Sequence, residues 1–237
     1  MASRKEQKEK LRREREEREA AARAAERRRR LIGYGAAGAV VAAVAVVLVV
    51  LLLAGGDGGG GGDEDLLPTG FDVPEQRITD LEDAAEAAGC ELESFEATSR
   101  DHSEDPAERL TYASKPPTSG KHFATPAEDG EYERAPPVGE LVHSLEHGRV
   151  IIWFKTTLPR DQRGLLKALY DDDPYQMLIT PDPTGMTYAV AATAWNADPQ
   201  PNGTGRLLGC PRFTPEVADA IRTFREEHRS NGPEPVP

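Results

Sequence analysis

Cysteine is scarce in this chain: Cys90 and Cys210 are the only two in 237 residues, and no C-x-x-C pair occurs. Two isolated cysteines argue against a thiolate zinc site. Also missing are a G-x-S-x-G elbow, a P-loop and a dinucleotide fingerprint, the common signatures of serine hydrolases and nucleotide-binding enzymes. Aromatic residues make up only 6%, and Trp153 and Trp195 read as core rather than as ligand platforms. Basic residues run short as well. Residues 1–30 hold 13 of the 29 Lys and Arg but only 7 of the 41 Asp and Glu, which leaves 16 basic and 34 acidic residues beyond them. A net charge of −18 over that remainder argues against a nucleic-acid partner. There is no internal repeat.

Between the two charge regimes lies "LIGYGAAGAVVAAVAVVLVVLLLAGG", in which residues 31–54 carry no charge. At about 1.5 Å per residue, the run spans roughly 36 Å, enough for a bilayer core of about 30 Å. Four arginines, residues 27–30, abut its N-terminal end and predict a cytoplasmic N-terminus with everything after the span outside. A cleaved signal peptide is the rival reading. The long charged region before the run, the run's length and the lack of an A-x-A site favour an uncleaved single-pass anchor in the cell membrane. Residues 1–30 are rich in helix formers but have no apolar stripe, so they read as a solvated charged helix. "GGDGGGGGDEDLLPTG" reads as a flexible tether over 55–69. Residues 70–230 are of ordinary single-domain size, and 231–237 read as a disordered tail.

Within the domain, Thr79 and Glu82 form a capping box that predicts a helix ending at Gly89. "ELESFEA", "RLTYAS", "RVIIWFK", "QMLITPD" and "MTYAVAATAW" read as strands. "LPRDQRGLLKALYDD" and "TPEVADAIRTFREEH" read as helices, with His228 on the solvated side of the second. Three prolines and a glycine make "KPPTSGKHFATP" a loop. Strands and helices mix without strict alternation, which predicts an α+β fold: a single mixed α/β extracytoplasmic domain behind the charged helix and the transmembrane helix. An even cysteine pair in an oxidising compartment suggests a disulfide, with Cα atoms roughly 4.4–6.8 Å apart; two free buried thiols are the competing reading.

The chemistry concentrates in "LVHSLEHGRV". His143, Glu146 and His147 spell H-x-x-E-H, a zinc-peptidase string that needs a long helix. Pro136, Pro137 and Gly139 before it and Gly148 after it leave about two turns, so the stretch is expected to be a turn leading into a strand at Val150–Phe154. No further acidic ligand stands out, which weighs against a metallopeptidase. Four of the five histidines fall between 102 and 147, and neutral imidazole ligates zinc and copper well. The candidate metal ligands are His122, His143, His147 and Met186, with His102 and Glu146 in support. Met186 and Met177 are soft donors that would favour Cu(I). In the blander reading the histidines bond backbone carbonyls, Met186 fills core and Glu146 pairs with Arg149. Ser119 beside His122 is a weak nucleophile–base pair.

"GCELESF", the "DH" at 101–102, "PPTSGKHF", "ELVHSLEHGRVIIWF", "MTYAVAATAW" and Cys210 followed by a C-terminal helix together resemble a bacterial domain-of-unknown-function family of single-span membrane proteins. The likeness covers about 70–230; Lys121 departs from it, where relatives are expected to carry proline. The resemblance implies that His102, His122, His143, His147 and Met186 are landmarks and that the cysteines pair. Three functions remain in view. The first is a membrane-anchored domain holding copper or zinc. The second is a module that docks a cell-envelope protein partner. The third is an unrecognised hydrolase, an enzyme being the less favoured outcome.

Overall fold

The computed structural model describes residues 65–234. The charged helix 1–30, the span 31–54, most of the tether and residues 235–237 lie outside the described residues. Among the described residues no helix is long and apolar enough to cross a membrane.

Helix α1, Leu81–Ala88, starts one residue later than the capping box predicts: Asp80, not Thr79, accepts the Asp83 N–H. Gly89 ends it in the left-handed conformation, as expected. The chain then turns into strand β1, Glu91–Glu96. Strands β2 (His102–Ser103), β3 (His122–Phe123) and β4 (Gly130–Glu131) are two residues each. Helix α2 (Val138–Glu146) leads to β5 (Val150–Phe154), and α3 (Arg160–Asp172) leads to β6 (Met177–Pro181). Strands β7 (Val190–Asn196) and β8 (Thr204–Cys210) and helix α4 (Val217–His228) complete the order.

Six strands form one mixed sheet in the order β1-β8-β7-β5-β6-β4. β5 and β6 pair in parallel, and α3 is the crossover such a pair requires. The β5–β7, β7–β8 and β8–β1 pairs are antiparallel. β4 also pairs with β6 in parallel, so the fold is a mixed α/β domain in which β4-α2-β5 and β5-α3-β6 are both β-α-β crossovers beside three antiparallel pairings. Alternation along β5 fills two cores at once. Val150, Ile152 and Phe154 face a cluster with Leu81, Leu166, Ile221 and Phe224, from α1, α3 and α4. Ile151 and Trp153 face the other side, with Leu141, Val142 and Leu145 of α2 and with Trp195. Both tryptophans are core, as expected.

Several boundaries move. Residues 109–114, "RLTYAS", form no strand, and "MTYAVAATAW" becomes one only from Val190. β8 has no counterpart among the expected strands. Its glycines are the reason: a Cβ on Gly205 would lie 2.1 Å from Thr118 Oγ1, and one on Gly209 2.4 Å from the Tyr188 ring. Close approach forbids side chains there, and the strand signal goes with them. The domain also begins earlier than 70. Leu67 is buried in the first core, and the Arg163 guanidinium donates to the Leu66 carbonyl at 2.6 Å. At the other end, residues 231–234 are not a loose tail. The Asn231 carbonyl accepts from the Ala197 N–H at 2.7 Å, and the Glu234 N–H donates to the Glu146 carbonyl at 3.1 Å.

The Cys90–Cys210 disulfide forms, with Cα atoms 4.2 Å apart, slightly closer than the expected range. It joins the end of α1 to the end of β8.

His228 is buried rather than solvated, because α4 is covered on nearly every side. Its ring packs on Phe224 at 4.5 Å, and its Nδ1 accepts from Asn196 Nδ2 at 3.2 Å. Burial first, then the nearby Arg206 charge, pushes its pKa down to about 4. The unfolded chain takes up this proton near pH 6.5, whereas the folded chain resists until about 4. Between those values the unfolded state holds more protons, so stability falls as pH falls and levels off below about 4. The full effect is about 3 kcal/mol. Urea melts from pH 7 to pH 4 should show His228→Gln losing less stability than the parent chain; parallel curves would contradict this.

Candidate metal centre

The H-x-x-E-H stretch is helical, which corrects the expected turn. Pro137 takes the N-cap position of α2, where a missing N–H costs nothing, so the prolines start the helix instead of preventing it. Leu141, Val142 and Leu145 bury one face against the sheet and hold the helix in place. His147 is the C-cap, and Gly148 turns the chain at φ 84° into β5, the strand expected at Val150–Phe154. At 9 residues the helix is still short. Its spacing places His143 and Glu146 on the same side, one turn apart.

A second element faces them. β2 and β3 pair in parallel over two residues, with His102 directly opposite His122. β3 lies close on α2: a Cβ on Gly139 would come 2.5 Å from the Phe123 ring. The result is a triangle of imidazoles. Ring centroids are 4.5 Å apart for His102–His122 and 4.8 Å for both His102–His143 and His122–His143. Trp195 closes the floor, 5.8 Å from the His122 ring. One ligand atom from each of His102, His122, His143 and Glu146 lies within 4.8 Å of the others.

Hydrogen bonds decide which lone pairs face inward. His122 Nδ1 is 2.8 Å from the Gly120 carbonyl, and His143 Nδ1 is 2.7 Å from the Phe123 carbonyl. A carbonyl only accepts, so each Nδ1 carries a hydrogen, and in the neutral form of the ring the lone pair stands on Nε2; that of His143 accepts from the His147 Nε2–H at 3.0 Å. This is how proteins orient a metal-ligating histidine. In that neutral form His122 Nε2 faces Glu146 Oε2 at 3.0 Å, acceptor against acceptor. Both atoms are buried, and the contact lacks hydrogen-bond geometry, so both are left without a hydrogen-bond partner. Orphaned polar atoms in a core are costly. A cation between them would satisfy both.

Glu146 is fully buried. Burial pushes its carboxyl up in pKa, while the Arg100 guanidinium, whose Nε lies 2.6 Å from Oε1, pulls it down toward the charged form. Burial is also the largest influence on His143; it pushes the ring down to about 4, leaving it in the neutral form that ligates metals. The group sits at the C-terminal turn of α2, the end whose backbone carbonyls favour positive charge. Bonds of about 2.0–2.1 Å put tetrahedral ligand atoms roughly 3.3–3.4 Å apart. The observed His122–Glu146 and His102–Glu146 separations, 3.0 and 3.7 Å, bracket that spacing.

The remaining sequence candidates fall as follows. His147 lies beside the group, its Nε2 3.0 Å from His143 Nε2, and shares a second cluster with Glu146 and Glu234. Met186 and Met177 are buried in the apolar clusters on opposite faces of the sheet. Glu146 pairs with Arg100 at 2.6 Å rather than with Arg149, whose Nε meets Asp129 at 3.0 Å. Ser119 gains no base, because His122 Nδ1 donates to the Gly120 carbonyl and its Nε2 faces Glu146 Oε2. Arg100 and Glu234 carry no signal in the sequence: one is an isolated basic residue, the other stands among the prolines of the tail.

No curated protein and no solved structure matches the chain. Residues 103–236, more than half of its length, match the model of a family described as a protein of unknown function, DUF3105, and the chain belongs to that family.

Proposed function

We propose that this is a membrane-anchored, extracytoplasmic domain that holds one divalent transition-metal ion, Zn2+ or Cu2+, through His102, His122, His143 and Glu146. The observation that carries the reading is the buried pair His122 Nε2 and Glu146 Oε2, 3.0 Å apart and without hydrogen-bond partners. The donor set supports a divalent ion. Three imidazole nitrogens and one carboxylate suit Zn2+ or Cu2+, whereas Cu+ prefers the thiolate or thioether donors that this cluster does not use. His102 is the most exposed member, its side chain 37% accessible, and gives the ion its way in. Large exposed hydrophobics among the described residues are limited to Leu92 and Tyr175, which gives less support to a protein-docking module.

Elemental analysis of the full chain, purified without added chelator, tests the reading. One equivalent of zinc or copper is expected, removable by a chelator and restored on titration. A chain that arrives metal-free and takes up neither ion would end the proposal. The location rests on the uncharged run at 31–54, the arginines before it and the acidic remainder. Protease added to intact spheroplasts should digest the domain and spare an N-terminal tag; a protected domain would reverse the topology.

A further inference from the structure

Glu146 has two oxygens, and only Oε2 faces the histidines. Oε1 is bound by Arg100, whose Nε lies 2.6 Å away. The same guanidinium reaches Glu234 Oε2 at 3.6 Å. Glu234 is delivered by backbone contacts. Its own N–H donates to the Glu146 carbonyl at 3.1 Å, and the Ser230 N–H donates to the Gly148 carbonyl at 2.8 Å. Gly232 fits between them so tightly that a Cβ would lie 2.3 Å from the Glu146 carbonyl oxygen. The C-terminal segment is thus laid across the end of α2, one carboxylate held toward Arg100.

This edge has its own ligand-like geometry. Glu146, His147 and Glu234 each place one donor atom within 4.8 Å of the others. Two clusters therefore share one carboxylate, the arrangement that elsewhere allows a carboxylate to bridge two metal ions. Arg100 already supplies a cation between the two acidic members of the outer cluster. A guanidinium is fixed in charge and planar, and it can neutralise two carboxylates without moving.

We propose that Arg100 is a positioning residue. By occupying Oε1, with Glu234 as its second anchor, it restricts Glu146 to a single ligating oxygen and keeps the centre mononuclear. The inference rests on the metal reading above. With Arg100 removed, Oε1 is free either to chelate the inner ion alongside Oε2 or to bind a second ion together with His147 and Glu234.

Co2+ titration of the full chain provides the test, because the intensity of cobalt's visible absorption falls as coordination rises from four to five. The parent chain should bind one equivalent with an intense four-coordinate spectrum. Arg100→Gln should show a weaker band, affinity for the first equivalent lowered roughly 10–100-fold as for outer-shell partners, and a second equivalent that disappears in Arg100→Gln/His147→Ala. Arg100→Lys retains the charge but makes a single-point contact; it should hold one equivalent with a weakened band, and it serves as the readout if Arg100→Gln fails to fold. A parent chain that takes up no Co2+ overturns the metal reading and this inference together. A parent chain that binds two equivalents, or Arg100 variants with the parent's spectrum and stoichiometry, overturns the inference alone.

Discussion

Replacing Cys90 and Cys210 together with alanine lowers the unfolding free energy by about 3–5 kcal/mol. The disulfide closes a separation of 120 residues, from the end of α1 to the end of β8. Chain-entropy reasoning gives about 5 kcal/mol for a loop of that length, and measured values commonly fall below it. The bond also stands where two structural layers meet. Cys210 is fully buried in the cluster under α1, α3 and α4, and Cys90 packs against the same cluster. The next residues, Glu91 and Gly209, are register partners in the β1–β8 ladder. Without the bond, the edge strand β1 keeps its ladder but loses its covalent fastening. Urea unfolding of the parent and the double variant gives the difference directly. Comparing oxidised and reduced parent chain separates the cross-link from the small cavities that alanine leaves. A difference under about 1 kcal/mol in both comparisons would show that the sheet, not the bond, holds this edge.

What can be read from the sequence follows from which forces act locally. β5 and β6 are runs of large apolar residues, and that property survives any tertiary context, so Val150–Phe154 is legible from its residue types alone. β8 is not: its glycines exist because Thr118 and Tyr188, distant in sequence, occupy their space. Helix α2 is hidden because prolines weigh as breakers in a local reading, although at the N-cap they are compatible with a helix start. The histidine cluster is half legible. Residue type singles out His122, His143 and His147, with His102 and Glu146 in support, because imidazole and carboxylate are common metal ligands. The place of His102 depends on a two-residue parallel bridge to a partner 20 residues further along the chain, which no local pattern encodes. Met186 goes the other way. Its sulfur makes it a candidate ligand, but its surroundings are apolar core.

If the cluster holds the proposed ion, changing His122 to alanine should abolish metal binding, lowering affinity by more than the roughly 10–100-fold typical of an outer-shell partner. His122 is completely buried, its Nδ1 is held by Gly120, and its Nε2 faces Glu146 with no hydrogen-bond partner. No other side chain can take its position without rebuilding the β2–β3 bridge. The His102→Ala variant checks this where folding is less at stake, since the His102 side chain is partly exposed. It too should lose the ion. His147→Ala supplies the contrast. His147 neighbours His143 but stands outside the group of four, so the variant should retain one equivalent with affinity changed by less than about tenfold. Isothermal titration of the three variants with Zn2+ and Cu2+, alongside thermal melts without metal, separates lost ligands from lost fold. A folded His102→Ala that binds as tightly as the parent removes His102 from the centre. If His122→Ala also binds undiminished, the cluster is not the metal site at all, and its histidines serve only to hold β3 against α2.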